Sequence, residues 1–530
     1  MEKISYDVGL LISLGIVYFG YSYALLIFQQ NRYEIRRLIS WIKEYFDNLS
    51  IGVIGFIVYV SIWVVAFFVG DIFNITEYLY LVLIVVFLLQ KHFKQQKQDR
   101  IIPLKITQRV QRQIVVIIIF TILIYYGIYR LNLNSWLFIF YILLPVIVWL
   151  LVLLMAIITL PFEMAMQRIY LRKARVILKN LPNLIKVGIT GSYGKTSSKN
   201  ILQSILSEKF YSLMTPASFN TPMGITITIR EQLKSIHEVF ICEMGADKVG
   251  EIKFLSNFVK PQYGIVTSIG YQHLLTFNTI ENIINEKMSL IESLPLTGVG
   301  FLNRDNEYIR NYYIKNKCKI VWFGIESSDV DYRATDIRYL QNGSTFNITT
   351  EDGGCYPFKT KLLGEHNIMN IVAAVAVGRE LDLDWELLQD AVSQIEQISN
   401  RLQQKIINGL HFIDNAFNSN PVGARMSVDV LNMMPGTRYI ITPGLIDLGE
   451  KQFSENKELG KYMATRIDKA ILVGINQSRP IKEGLIEEGF DENSIIVFKT
   501  VKEAFNYVYQ HASSEDTILI ENDLPDAFNN

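Results

Sequence analysis

The chain has 530 residues, half of them hydrophobic, with positive mean hydropathy and 51 basic against 51 acidic side chains. That length predicts about three domains, and zero formal charge gives no general attraction to nucleic acid, so none is expected as a partner. Three cysteines (Cys242, Cys318, Cys355) lack metal or disulfide spacing, and the six scattered histidines form no i, i+4 pair, so a disulfide framework and a His-pair metal site are both excluded.

Five apolar runs open the chain, at about 7–29, 50–70, 76–90, 114–133 and 136–159. Most approach the ~20 residues that cross a bilayer, the third being the shortest. The first has too long an apolar core, and no small-residue cleavage site, for a signal peptide. The loops at 31–49 and 91–113 and the segment after the last run are rich in Lys and Arg, whereas the alternate loops hold only Asp71, Glu77 and Arg130. The positive-inside rule then places the N-terminus outside and everything after the last run in the cytoplasm, at the cell membrane. Residues 161–183 read as a basic amphipathic helix on the inner membrane surface, closed by Leu181-Pro182. Apart from Asp7 and Glu77 at the edges of their runs, no acidic or His residue lies inside them to mark an ion path, so the region is either an anchor or a platform that meets a lipid-linked substrate.

Leu184–Phe210 reads as a short apolar strand, a glycine turn and a helix start. The turn, Thr190-Gly191-Ser192-Tyr193-Gly194-Lys195-Thr196-Ser197, has the compact form T-G-x-x-G-K-[ST]. Gly191 and Gly194 let backbone N–H groups crowd round a phosphate, and the new helix turns its positive end to the same place. Lys195 can reach the outer phosphates and the Thr196 hydroxyl can ligate Mg²⁺.

Beyond it, apolar runs alternate with helical stretches: Val239–Cys242, Tyr263–Ser268, Ile320–Phe323, Tyr439–Thr442, Ala470–Gly474, Ile495–Phe498 and Thr517–Glu521. Such alternation predicts parallel α/β sheets. Glu243 ends one of these strands, where parallel sheets hold ligands, and is either an Mg²⁺ ligand or a solvated strand-end carboxylate. His273 follows another strand, where a lone His is more often a cap or core residue. Lys287 would ordinarily be a helix-surface lysine.

Taken in order, these residues resemble the Mur ligases, ATP-dependent amide-bond formers of cell-wall synthesis, and most closely the D-alanyl-D-alanine-adding branch. The phosphate loop, the block Glu243-Met244-Gly245-Ala246 continued by Gly250-Glu251-Ile252, and Asn303-Arg304-Asp305 carry the likeness. So do the block Leu363 to Asn370, Arg401, and the run Phe412 to Pro421. The resemblance implies a central P-loop parallel-sheet ATPase domain at 184–398 and a smaller Rossmann-like ligase domain at 399–530. A membrane region of about five helices at 1–160 stands where the family grips a UDP-sugar. It implies ATP against Thr190, Gly191, Ser192, Gly194, Lys195, Thr196, Ser197, Asn303, Asn367, Arg401 and Asp414. Asn418 and Asn420 would shape the same site. It further implies two Mg²⁺, held by Thr196, Glu243, His273 and Lys287, the last as a carbamylated lysine. Lys195, Lys287 and His273 are then the catalytic residues.

Two segments depart from the family pattern. Thr442 to Glu450 keeps only its Leu-Gly-Glu end, and Glu521 to Asp526 replaces a Lys-Gly-Ser-Arg-like turn. The expected activity is a membrane-bound ligase that forms an acyl phosphate on a carboxylate acceptor and joins it to an amino acid or short peptide such as D-Ala-D-Ala. The acceptor would be a cell-wall or surface-glycan precursor, lipid-linked or not, with other membrane-bound envelope-synthesis proteins as neighbours. Competing readings are a poly-γ-glutamate-type synthase and a membrane transport or signalling NTPase.

Overall fold

The computed structural model describes residues 21–47, 104–130 and 134–522, apart from 23, 32, 273, 341–342, 399–400, 417–419, 447 and 449–450. Most of the first apolar run, the runs at 50–70 and 76–90, and the calls on His273, Asn418 and Asp523 to Asp526 lie outside the described residues. The chain divides into two units, Met1–Arg168 and Ile169–Asn530.

In the first unit, α1 (Ile35–Asp47), α2 (Gln108–Arg130) and the middle of α3 (Asn134–Lys179) surround an apolar cluster that includes Phe28, Leu38, Val110, Ile117 and Val152. The far side of α2 leaves Val115, Ile119 and Leu123 exposed, and α3 does the same with Leu150, Ile157 and Ile158. Glu163 of α3 is buried and accepts from Arg112 Nε at 3.1 Å and Nη2 at 2.7 Å. Among the described residues one helical segment, Trp149–Lys179, is long and apolar enough to cross a membrane; that is one, against the five crossings expected. A second difference concerns the separate surface helix expected at 161–183. Helix α3 continues through Pro161 to Lys179. An interior proline costs about 3 kcal/mol, and good helix formers on both sides, Leu, Met, Ala, Glu and Arg, offset it.

The second unit holds two sheets. The first has nine strands: β1 (Ile185–Thr190), β2 (Ser212–Met214), β3 (Val239–Glu243), β4 (Tyr263–Val266), β5 (Val299–Asn303), β6 (Lys319–Gly324), β7 (Tyr332–Leu340), β8 (Gly343–Thr350) and β9 (Cys355–Thr360). Their order is β2-β3-β1-β4-β5-β6-β7-β8-β9, parallel up to β7 and antiparallel at β8 and β9. The antiparallel extension was not legible as such in the sequence. Side chains alternate across the sheet. Val239 and Ile241 face α4 (Lys195–Leu206) and α8 (Glu365–Glu380), while Phe240 and Cys242 face α5 (Pro222–Glu231), α6 (Glu251–Val259) and α7 (Ile280–Glu292). Ala174 and Leu178, near the end of α3, join this second core.

The second sheet has six strands in the order β10-β11-β15-β12-β13-β14. They are β10 (Gln403–Ile407), β11 (Leu410–Asn415), β12 (Arg438–Thr442), β13 (Lys469–Val473), β14 (Ile495–Phe498) and β15 (Thr517–Glu521), parallel except for the β10–β11 hairpin. All seven apolar runs singled out in the sequence are strands. The run at Tyr263–Ser268 is shorter than expected, because Thr267 and Ser268 leave the ladder to hold the glycine turn.

Candidate nucleotide site

Strand β1 lies between β3 and β4, so the turn after it opens at the carboxyl edge of the sheet, the ligand-binding edge of such folds. The register pairs Ile189 with Glu243, which brings Glu243 beside the turn although 47 residues separate it from Thr196. Gly191 has φ 154°, and a Cβ there would meet Thr267 Oγ1 at 2.1 Å. Gly194 has φ 80° at the start of α4. The turn is stitched to the segment after β4: Ser192 N donates to Ser268 O at 2.7 Å and Ser192 Oγ to Gly270 O at 3.0 Å. Thr190 Oγ1 donates to Met244 O at 2.9 Å. The Thr190 and Ser192 hydroxyls are therefore engaged within the fold, and what the turn offers a ligand is mainly its backbone N–H groups.

Lys195 Nζ donates to Gly191 O at 2.6 Å and Ser192 O at 2.9 Å, lying over its own turn. Burial pushes its ammonium down to about 8, opposed by nearby Glu243 and reinforced by Arg401. Thr196 Oγ1 donates to Glu243 Oε1 at 3.2 Å, and Asn220 Nδ2 reaches the same oxygen at 3.0 Å. The other oxygen, Oε2, stands 3.1 Å from Lys199 Nζ in an ion pair whose two side chains are each 1% exposed. A hydroxyl and a carboxylate oxygen side by side form a hard oxygen donor set, which fits Mg²⁺.

Lys287 is buried on α7, with Nζ 5.8 Å from the Phe277 ring centre. Burial, and then the charge of Lys195, push its ammonium down to about 7. A cleft of about 630 Å³ lies over the turn, lined among others by Gly194, Ser197, Asn303, His366, Asn370 and Arg401. Arg425 and Lys451 of the six-stranded domain line it as well, and Lys451 Nζ sits 3.8 Å over the Tyr271 ring. Burial lowers Arg401, and burial with the nearby Arg401 charge holds His366 at about 4, neutral at pH 7.

Of the expected residues, Gly194, Ser197, Asn303, Arg401 and Asn420 line this cleft, whereas Lys195, Thr196, Glu243, Lys287, Asn367 and Asp414 are not among its lining residues. Asn367 is buried, and its Nδ2 donates to Leu363 O at 2.7 Å. Asn303 Nδ2 donates to Thr267 O at 2.9 Å, so its amide also braces the segment behind the turn. Asp414 pairs with Lys405 across the β10–β11 hairpin, and Asn420 caps α9 (Pro421–Asn432). Sequence reading missed Lys199, Asn220 and Asn370. Lys199 had a signal, since it lies three residues after Thr196 and so on the same helix face. Asn220 and Asn370 had none.

Comparison with known proteins agrees with this geometry. Residues 189–378 match the Mur ligase middle domain, and residues 400–521 match the Mur ligase, glutamate ligase domain, together more than half of the chain. The UDP-N-acetylmuramoyl-tripeptide--D-alanyl-D-alanine ligase of Bacillus subtilis is 26% identical over 352 residues, covering 66% of this chain and 75% of that protein. The Escherichia coli protein of the same name is 27% identical over 315 residues, covering 58% and 69%. Among solved structures, MurF from Acinetobacter baumannii superposes with a TM-score of 0.60 at 25% identity, covering 67% of this chain and 77% of that one. MurF ligase from Thermotoga maritima, solved in complex with ADP, has a TM-score of 0.61 at 22% identity, covering 67% and 80%, and shares the fold. The chain belongs to the Mur ligase family, ATP-dependent ligases that form amide bonds.

Proposed function

We propose that this protein is a membrane-bound ligase that activates a carboxylate of a cell-wall or surface-glycan precursor as an acyl phosphate and joins it to an amino acid or short peptide. D-Ala-D-Ala is the first candidate for the joined unit, because the relatives above are named for it. The observation that carries the reading is the cluster of Lys195, Thr196 and Glu243 at one sheet edge, with the Lys287 side chain buried on a neighbouring helix. A purely hydrolytic NTPase has no use for that second buried lysine.

ATP would lie with its phosphates against the Gly191–Lys195 backbone and the start of α4. Lys195 would leave its carbonyl partners and turn to the outer phosphates, and Arg401 adds charge from the next domain. Thr196 and Glu243 would hold Mg²⁺, which supplies charge neutralisation on the phosphates when bound. With an amine of pKa about 7, Lys287 has a large neutral fraction that can take up CO₂. The carbamate so formed is an anion able, with His273, to hold a second cation. In the first step a carboxylate oxygen attacks the γ-phosphorus and the bond to the β-phosphate oxygen breaks, releasing ADP. In the second, an amine attacks the acyl carbon, inorganic phosphate leaves, and the nitrogen loses a proton. Exposed apolar side chains on α2 and α3 support placement in a lipid bilayer, with the ligase domains on the cytoplasmic side where ATP is found.

The test is ADP and phosphate release by the full chain in detergent, screened over amino acids, dipeptides and carboxylate acceptors including lipid-linked ones. Hydroxylamine should trap an acyl hydroxamate. Steady ATP hydrolysis indifferent to every amine and acceptor would overturn the reading.

A further inference from the structure

Glu243 is gripped from two sides. Thr196 and Lys199, one turn apart on α4, reach opposite oxygens of the same carboxylate: Thr196 Oγ1 lies 3.2 Å from Oε1, and Lys199 Nζ 3.1 Å from Oε2. Lys199 also donates to Ala217 O. Ala217 has φ 42°, a left-handed conformation unusual for a residue with a side chain, within the segment that delivers Asn220 to Oε1. Thr215 of that segment accepts from Glu243 N at 3.1 Å, and Asn220 O accepts from Gly245 N at 2.9 Å. Lys199 is thus the pin between the phosphate-loop helix, the Thr215–Asn220 segment and the end of β3. A fully buried lysine is costly to retain for stability alone, since an ion pair inside a protein recovers little more than its desolvation.

We infer that Lys199 is a positioning residue for the nucleotide's metal ion: by occupying Oε2 and fixing the Thr215–Asn220 segment, it fixes the Glu243 rotamer so that Oε1 alone faces Thr196. The inference rests on the ligase reading above. It assigns Lys199 no contact with ATP or with the reacting carboxylate. Its effect should therefore appear only in the part of nucleotide affinity that depends on metal.

The experiment measures ATP binding to the full chain in detergent by calorimetry, once with Mg²⁺ and once with EDTA, for the parent, Lys199→Met, Lys199→Arg and Asn220→Ala. Mn²⁺ binding read by electron paramagnetic resonance reports the ion directly. Lys199→Met should lose the metal-dependent gain by about 10–100-fold, the usual cost of removing a residue that orients a metal ligand, while affinity in EDTA stays within about twofold. Lys199→Arg should recover part of it, and Asn220→Ala should lose a smaller part. A lowered melting temperature in Lys199→Met with the metal-dependent gain intact would overturn the inference and leave Lys199 as a folding contact. Equal losses with and without metal would overturn it too. If Lys199→Met does not fold, unchanged metal-dependent gains in both other variants would do the same. A parent protein with no metal-dependent gain would instead sink the ligase reading.

Discussion

Ser198 and Asn370 are 172 residues apart in sequence, yet Ser198 Oγ donates to Asn370 Oδ1 at 2.7 Å with both side chains buried. The bond ties the phosphate-loop helix α4 to α8 at the floor of the cleft. Ser198→Ala would leave the Asn370 carbonyl buried without that donor, which costs about 1–3 kcal/mol. The expected outcome is a lower urea midpoint at unchanged m-value, with turnover per folded molecule within about threefold of the parent. A midpoint equal to the parent's would show that the bond contributes nothing net.

Lys195 is half-buried against its own loop, and the proposed function makes it the cation that turns to the outer phosphates. Lys195→Ala should reduce turnover by at least about 10²-fold, the scale for removing one preorganised charge donor, with little change in melting temperature. Steady-state ADP release by the folded variant is the measurement, and retained activity would remove Lys195 from the chemistry.

Lys287 carries the carbamate expectation. Lys287→Ala should be inactive, and short carboxylates such as acetate should restore part of its activity, because they can stand in for the missing anion. In the parent, a ¹³C-carbamate signal from labelled bicarbonate should depend on a neutral amine whose charge is lost near pH 7 rather than near the ordinary 10.5. A Lys287→Ala variant as active as the parent would exclude the carbamate.

His366 gives a stability signature with a defined sign. Its folded value of about 4 lies below the ordinary 6.5 of a histidine. Below pH 6.5 the unfolded chain takes up a proton that the folded chain refuses until about pH 4. The stability tied to this group is therefore complete above pH 6.5 and is lost as pH falls from 6.5 to 4. In His366→Phe, the decline in urea midpoint across that window should be shallower than in the parent. Parallel declines would show that His366 keeps an ordinary value.

Lipid embedding predicts that the full chain stays in the membrane pellet after an alkaline carbonate wash. The exposed side chains of Val115, Ile119 and Leu123 on α2, and of Leu150, Ile157 and Ile158 on α3, would otherwise face water at about 25 cal/mol per Å² of apolar area. Release into the supernatant would remove the membrane anchor.

Local chemistry wrote the glycine turn, the strands and the family likeness into the sequence. Gly191 and Gly194 permit backbone shapes that few other residues tolerate, and short apolar runs between helical stretches leave a parallel sheet as the economical way to bury both faces. Residue pattern alone therefore determined the α/β class and the place of the glycine turn. Tertiary structure decided which groups meet. Only the Ile189–Glu243 register brings that carboxylate to Thr196, and only the Thr215–Asn220 segment closes on it with Lys199. Only burial turns Lys287 from a surface-type lysine into an amine that is half neutral near pH 7, and only the β10–β11 pairing gives Asp414 to Lys405. Contacts between distant segments depend on strand register and on exclusion of water. Neither is a property of a short stretch of chain, so neither can be read from one.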